Sequence, residues 1–301
     1  MTPVTVITGF LGAGKSTLLE AWLRDQERER VAVIVNERGE VGVDGALLAA
    51  RVARLREITA GCVCCETQAE LAAALDELAG AGLQRIFVET SRAASPAGVI
   101  RPVTRIDGLR LDGVITVLDA SRLERALGFD LAIEQLGFAD VVVLSHADRE
   151  DEDALARAEE AAARHAPAAV IARSGRGDAP ALGALLARRD DALRVFPEAR
   201  GHHPIEAVSV VAPGELDEDR FADWVEAALG AVEARILRIK GILAMHGVDA
   251  RVIVQGVGEA VEVSLGAPWG DAPRDCRLVV LGLGLDAAAI EAGFRRCLKR
   301  Q

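Results

Sequence analysis

Near the N-terminus, Gly9-Phe10-Leu11-Gly12-Ala13-Gly14-Lys15-Ser16 follows the spacing G-x-x-x-x-G-K-[ST]. Glycines at these points let successive backbone N–H groups turn toward a phosphate chain. Lys15 has the reach and charge for the β and γ oxygens, and the Ser16 hydroxyl suits Mg²⁺. The motif follows an apolar strand-like run and opens a helical pattern that continues through Thr17, which is the context the chemistry requires. We therefore expect Gly9, Gly12, Ala13, Gly14, Lys15, Ser16 and Thr17 to line a site for a nucleoside phosphate.

A second cluster, Gly61-Cys62-Val63-Cys64-Cys65, packs three thiols into four residues. Thiolates are soft ligands, so two or three of them suit tetrahedral Zn²⁺ or a similar ion. A further ligand must come from elsewhere, and Asn36-Glu37-Arg38-Gly39-Glu40, after the second strand-like run, is the candidate. Structural burial of the cysteines, or redox pairing of Cys62 with Cys65, is the competing reading. Cys276 and Cys297 lie far apart in sequence and are expected to be buried thiols, while Trp22, Trp224 and Trp269 are expected to pack in cores.

The elements that must hold these residues are legible in the hydrophobic pattern. Apolar, β-branched runs at residues 4–8, 31–35, 86–89, 114–119 and 141–145 alternate with helical periodicity at 16–28, 67–79 and 123–136. Strands apolar on both faces, alternating with helices, imply a parallel sheet covered on both sides. Helices are also expected at 151–165 and 182–189, and the proline- and glycine-broken stretch 196–204 marks a linker. Beyond it, strand-like runs at 207–211, 236–239, 251–255, 259–265 and 278–282 with helices at 218–229 and 287–298 describe a smaller α+β domain. The expectation is an α/β P-loop domain over 1–195, a linker over 196–204 and a C-terminal α+β domain over 205–301.

Thirty-five basic against 46 acidic side chains give a formal charge of −11, which argues against nonspecific nucleic-acid binding. No apolar run approaches the ~20 residues of a membrane span. The N-terminus lacks a basic leader, and five cysteines are an odd number for a disulfide framework, so a cytoplasmic setting is expected.

Taken together, TGFLGAGKSTLL, VAVIVNERGEVGVDGALL, GCVCC and VETSRAASP resemble the CobW family of P-loop GTPases, which act as metal chaperones or metallocentre-insertion factors. The similarity continues through RIKGIL (238–243), VIVQGV (252–257) and LVVLGLGLD (278–286). This resemblance implies a slow, GTP- and Mg²⁺-dependent switch that loads Zn²⁺, or another transition metal, and passes it to a client metalloprotein or metal-dependent enzyme; a homodimer is compatible with it. It further implies that Glu89 acts on the metal–water shell or the attacking water. Cys62, Cys64, Cys65 and Glu37 would hold the transported ion.

Three departures from the family pattern matter. The guanine-reading N-K-x-D is Ser145-His146-Ala147-Asp148, so Asp148 would read guanine while Ser145 and His146 stand in for Asn and Lys. Arg92 replaces the glycine after E-T-S, where it could place a cation near the γ-phosphate, and Ser95 replaces an Asp. The second domain has Gly258 and Leu283-Gly284 where relatives carry His and Arg-Asn. These changes keep open a rival from another class, a hydrolysis-impaired metal sensor that binds a partner through its C-terminal domain. A small-molecule kinase would share the loop but leave the cysteines unexplained. His202 and His203 in the linker are read as solvated.

Overall fold

The computed structural model describes residues 1–10, 12–24, 30–35, 54–57, 65–91, 94–176, 178–188, 205–229, 235–257 and 260–299. They form two compact units, Met1–Ala187 and Arg188–Gln301.

The first unit is built on seven strands: β1 (Thr2–Gly9), β2 (Val31–Val35), β3 (Arg54–Glu57), β4 (Arg85–Glu89), β5 (Leu109–Asp119), β6 (Val141–Ser145) and β7 (Val170–Arg173). All pair in parallel, in the order β3-β2-β4-β1-β5-β6-β7. Val141–Ser145 is buried along its whole length and Val31–Ile34 nearly so, as a sheet with two covered faces demands. The covering helices are α1 (Lys15–Arg24), α2 (Cys65–Leu78), α3 (Ala97–Arg105), the short α4 (Leu123–Ala126), α5 (Asp130–Gly137), α6 (Glu152–His165) and α7 (Leu182–Ala187). In α2, Leu71, Leu75 and Leu78 recur at helical spacing and are buried. In α6 the Asp151 carboxylate caps the N-terminus by accepting from Ala154 N at 2.7 Å, with Arg164 and His165 in the last turn.

The α/β class expected from the pattern is the one observed. One helix differs: the periodicity at 123–136 reads as continuous, yet the chain breaks between α4 and α5. Leu127 N and Gly128 N close the first helix onto Leu123 and Arg125, and Phe129 turns extended (φ −115°, ψ 124°) before the chain coils again. Leaving the helix carries the Phe129 ring onto Phe10, with centroids 5.0 Å apart. Two elements were not read from the sequence. β7 is four residues long and ends in Arg173, and α3 carries Pro102, which removes one helical N–H but leaves Val99, Ile100 and Val103 on a buried face.

The second unit is an antiparallel five-stranded sheet in the order β11-β10-β9-β12-β8. Its strands are β8 (Ile205–Pro213), β9 (Arg235–Leu243), β10 (Ala250–Val257), β11 (Ala260–Pro268) and β12 (Asp275–Leu283), with helices α8 (Glu218–Leu229) and α9 (Ala287–Arg296). The strands and both helices expected beyond residue 205 are present. Phe221, Trp224 and Phe294 pack with ring centroids 5.7–6.1 Å apart, and Gly293 lets the helices close, since a Cβ there would fall 2.1 Å from Trp224 Nε1. Cys276 and Cys297 are buried free thiols, and burial pushes the Cys276 thiol up to about 11. Trp22 and Trp269 are buried, as expected, and Trp224 is half-buried. The linker 196–204 lies outside the described residues. Among those described, no helix is long and apolar enough to cross a membrane.

Candidate functional site

Strand order reverses around β1, which lies between β4 and β5. The register Ile7↔Glu89, Gly9↔Val117 and Asp119↔Ser145 brings the carboxyl ends of β1, β4, β5 and β6 to one edge. Open parallel sheets bind ligands in the crevice at such a reversal. Gly9 closes β1 with φ at 140°, and a Cβ there would lie 2.1 Å from the Val117 carbonyl oxygen, so the loop can leave the sheet here only with glycine. The chain then re-enters helix at Lys15, and the orphan N–H groups of the first turn, with Thr17 exposed on it, face the loop.

The Lys15 ammonium donates to the loop's own carbonyls, Gly9 O at 3.0 Å and Phe10 O at 3.5 Å. Ser16 Oγ donates to Glu89 Oε1 at 2.9 Å, and Glu89 is only 5% exposed. Behind Glu89, Thr90 is fixed to β1 twice: its N–H donates to Ile7 O and its hydroxyl to Thr8 Oγ1, each at 2.9 Å. A hydroxyl and a carboxylate thus converge beside the phosphate loop, although 73 residues separate them in sequence.

At the end of β6 the buried Ser145 hydroxyl lies 2.7 Å from Ala13 O and 3.2 Å from Leu118 O, engaging the phosphate loop and β5. His146, half-buried, follows with φ 56° and ψ 26°, the one non-glycine at positive φ among the described residues. This turn starts the short 3₁₀ segment Ala147–Arg149 and leaves Asp148 exposed. Asp148 backs onto Gly175, where a Cβ would approach its own at 3.2 Å. Ala147 N donates to Ser174 O and Ser174 N to Leu144 O, lacing the two segments together. Ser174 and Gly175 were missed in the sequence; the available signal was a Ser-Gly pair directly after the short apolar run of β7. A cavity of about 270 Å³ lies beside the loop, lined in part by Phe10, Ala13, Leu118, Arg125 and Phe129.

The structure therefore brings together Gly9, Gly12, Ala13, Gly14, Lys15, Ser16 and Thr17 with Glu89, Ser145, His146 and Asp148 along one edge. Cys65 begins α2. Glu37, Cys62, Cys64 and Arg92 lie outside the described residues. Among the described residues no group of three or more His, Cys, Asp or Glu is placed to hold a metal.

Residues 3–173 match the CobW/HypB/UreG nucleotide-binding domain, and residues 205–298 match the cobalamin synthesis protein cobW C-terminal domain. The chain belongs to the CobW family. This CobW-family protein is similar to the zinc chaperone CobW of Pseudomonas aeruginosa, with 36% identity over 98% of this chain and 91% of that one. It is also similar to the zinc chaperone YjiA of Escherichia coli, with 32% identity over 97% of each. Its fold resembles the crystal structure of the Zn(II)-bound YjiA GTPase from E. coli, with a TM-score of 0.71, 26% identity and 99% of both chains covered.

Proposed function

We propose that this CobW-family chain is a slow GTPase that carries Zn²⁺, or another transition metal, to a client metalloprotein in the cytoplasm. The observation that supports it most is the Ser16–Glu89 contact, which joins the phosphate loop to a buried carboxylate at the end of β4. Two hard oxygen donors held 2.9 Å apart fit Mg²⁺, with Ser16 as ligand and Glu89 acting on its water shell. When bound, that ion neutralises charge on the β and γ oxygens.

Lys15 exchanges its loop carbonyls for phosphate oxygens with little displacement, because its ammonium already lies over the loop. The N–H groups of the first turn of α1 hold the β-phosphate. Glu89 orients the attacking water; the water oxygen bonds to the γ-phosphorus as the bond to the β–γ bridging oxygen breaks. Arg92 supplies a cation to that developing charge. Asp148 accepts guanine N1–H and N2–H, and adenine is rejected because it leaves the carboxylate unpaired. His146 lies along the base, and Ser145 holds the loop to the strand that carries Asp148.

Metal is held as cargo by Cys62, Cys64, Cys65 and Glu37. The helix that starts at Cys65 favours thiolate at its N-terminus. Three thiolates and one carboxylate suit tetrahedral zinc, and loading releases protons. Residues 1–195 form the switch, and residues 205–301 meet the client. The reading is tested by GTP turnover with Mg²⁺, with and without one equivalent of Zn²⁺, in the wild type, Cys64→Ala and Lys15→Ala. Zn²⁺-stimulated turnover lost in both variants is expected. Nucleotide binding without turnover above the Lys15→Ala background refutes the GTPase and leaves the sensor.

A further inference from the structure

Trp22 packs in the core of the first unit, but its indole also makes a directed contact there. Nε1 donates to the Pro180 carbonyl at 2.8 Å, across 158 residues of sequence. A proline has no N–H, so this carbonyl is the one backbone group by which residue 180 can be held. About two turns earlier the same helix, α1, begins at Lys15. One rigid element therefore carries the phosphate-facing residues at its start and the tie to Pro180 near its end.

The chain that Trp22 holds is the one that backs the end of β6. Gly175 and Asp178 pair in an isolated bridge, with Asp178 N donating to Gly175 O at 3.3 Å and Ser174 Oγ to Asp178 O at 2.9 Å. Ser174 O accepts from Ala147 N at 3.1 Å, and a Cβ on Gly175 would lie 3.2 Å from that of Asp148. This turn is pressed against Asp148 and leaves in two directions. One is β7, fixed by its pairing with β6; the other is Ala179-Pro180, fixed by Trp22. A phenylalanine would supply a buried ring without a donor, so packing alone does not call for the indole. We infer that Trp22 is a positioning residue for recognition of the guanine base, an inference that rests on Asp148 as the guanine reader. The indole N–H fixes Pro180, the turn stays against Asp148, and the carboxylate meets the base with less freedom left to lose. Phosphate binding does not depend on this tie, because Lys15 and Ser16 lie at the other end of α1.

Calorimetric titration of the full-length wild type and Trp22→Phe with GDP, ADP and pyrophosphate, each with Mg²⁺, tests this. Trp22→Phe should weaken GDP about fivefold, the scale of one net hydrogen bond, and leave ADP and pyrophosphate within about twofold. A second measurement needs no variant at position 22. By reciprocity of coupling, guanine must strengthen the indole hydrogen bond by the same factor. Solvent exchange of the wild-type Trp22 indole N–H, read by NMR and assigned by elimination with Trp224→Phe and Trp269→Phe, should slow about fivefold with GDP relative to pyrophosphate. Equal weakening of all three ligands in Trp22→Phe, or an unchanged GDP-over-ADP ratio, overturns the inference. Indole exchange that is the same with GDP and pyrophosphate does so too, even if Trp22→Phe fails to fold. A wild type that binds GDP and ADP alike removes Asp148 as the guanine reader and this inference with it.

Discussion

Replacing Gly9 by alanine should unfold the first unit far more readily than the same change at Gly12, although both glycines lie in one loop at positive φ. At Gly9, φ is 140° and the added Cβ would sit 2.1 Å from Val117 O and 3.0 Å from Val117 C and N. An ordinary carbon–oxygen contact is about 3.3 Å, so a gap of about 1.2 Å must open. Val117 cannot yield it, because it is paired to Gly9 on one side and Val143 on the other. Backbone strain of ~1–3 kcal/mol and overpacking of ~1–3 kcal/mol together give about 4 kcal/mol. At Gly12, φ is 74° and nothing lies within 4 Å of the added Cβ, so only the left-handed cost of ~1–2 kcal/mol applies. Amide hydrogen exchange of peptides from β1 and β5 reads the first unit separately from the second. At ~1.4 kcal/mol per factor of ten, Gly9→Ala should speed exchange by about a thousandfold and Gly12→Ala by about tenfold. Equal acceleration in the two variants would refute the steric account of the loop.

Gly175→Ala should push Asp148 aside through the 3.2 Å approach of their Cβ atoms and lower the GTP-over-ATP affinity ratio about tenfold, measured by nucleotide titration; an unchanged ratio removes Asp148 as the guanine reader. Native alkylation near pH 8 should modify Cys62, Cys64 and Cys65 and spare the buried Cys276 and Cys297, with Zn²⁺ protecting the cluster; mass spectrometry of the labelled peptides decides it. Burial works against the Asp112 carboxylate, but Arg85 and Arg110 outweigh it and hold the group below its ordinary 3.8. That depressed value contributes stability above about pH 4 that is lost as pH falls through it. Asp112→Asn should therefore lower the urea midpoint at pH 6, and by progressively less as pH falls below 3.8; a constant difference would contradict the ion-pair account.

What could be read in advance follows the range of the interactions involved. The phosphate loop was legible because glycine, lysine and serine act within eight residues and the strand–helix context is local. Glu89 was recognised through its family motif, and the Ser16 contact then follows from register between β1 and β4. Ser145 holding Ala13 and Gly175 backing Asp148 were not legible, because each depends on pairing between strands distant in sequence. The break at Phe129 was hidden by an apolar periodicity that runs through it, and only the aromatic partner on the loop explains where the helix stops. Pro102 concealed α3 for the opposite reason: a local breaker is overridden by a buried face of Val99, Ile100 and Val103.

The parallel sheet also has a history during synthesis. β1 leaves the ribosome before its neighbours, β4 and β5, and Val4 pairs with Ile86 and Leu111. Roughly eighty further residues must be added before the first of these partners exists, a wait of about 4–16 s at ~5–20 residues per second. Until then an apolar strand and a glycine-rich loop are available to chaperones. Ser145, which ties the loop to β6, arrives later still. Nucleotide can therefore reward only a nascent chain whose first unit is nearly complete, so the phosphate loop, although translated ahead of β4, β5 and β6, matures among the last parts of that unit.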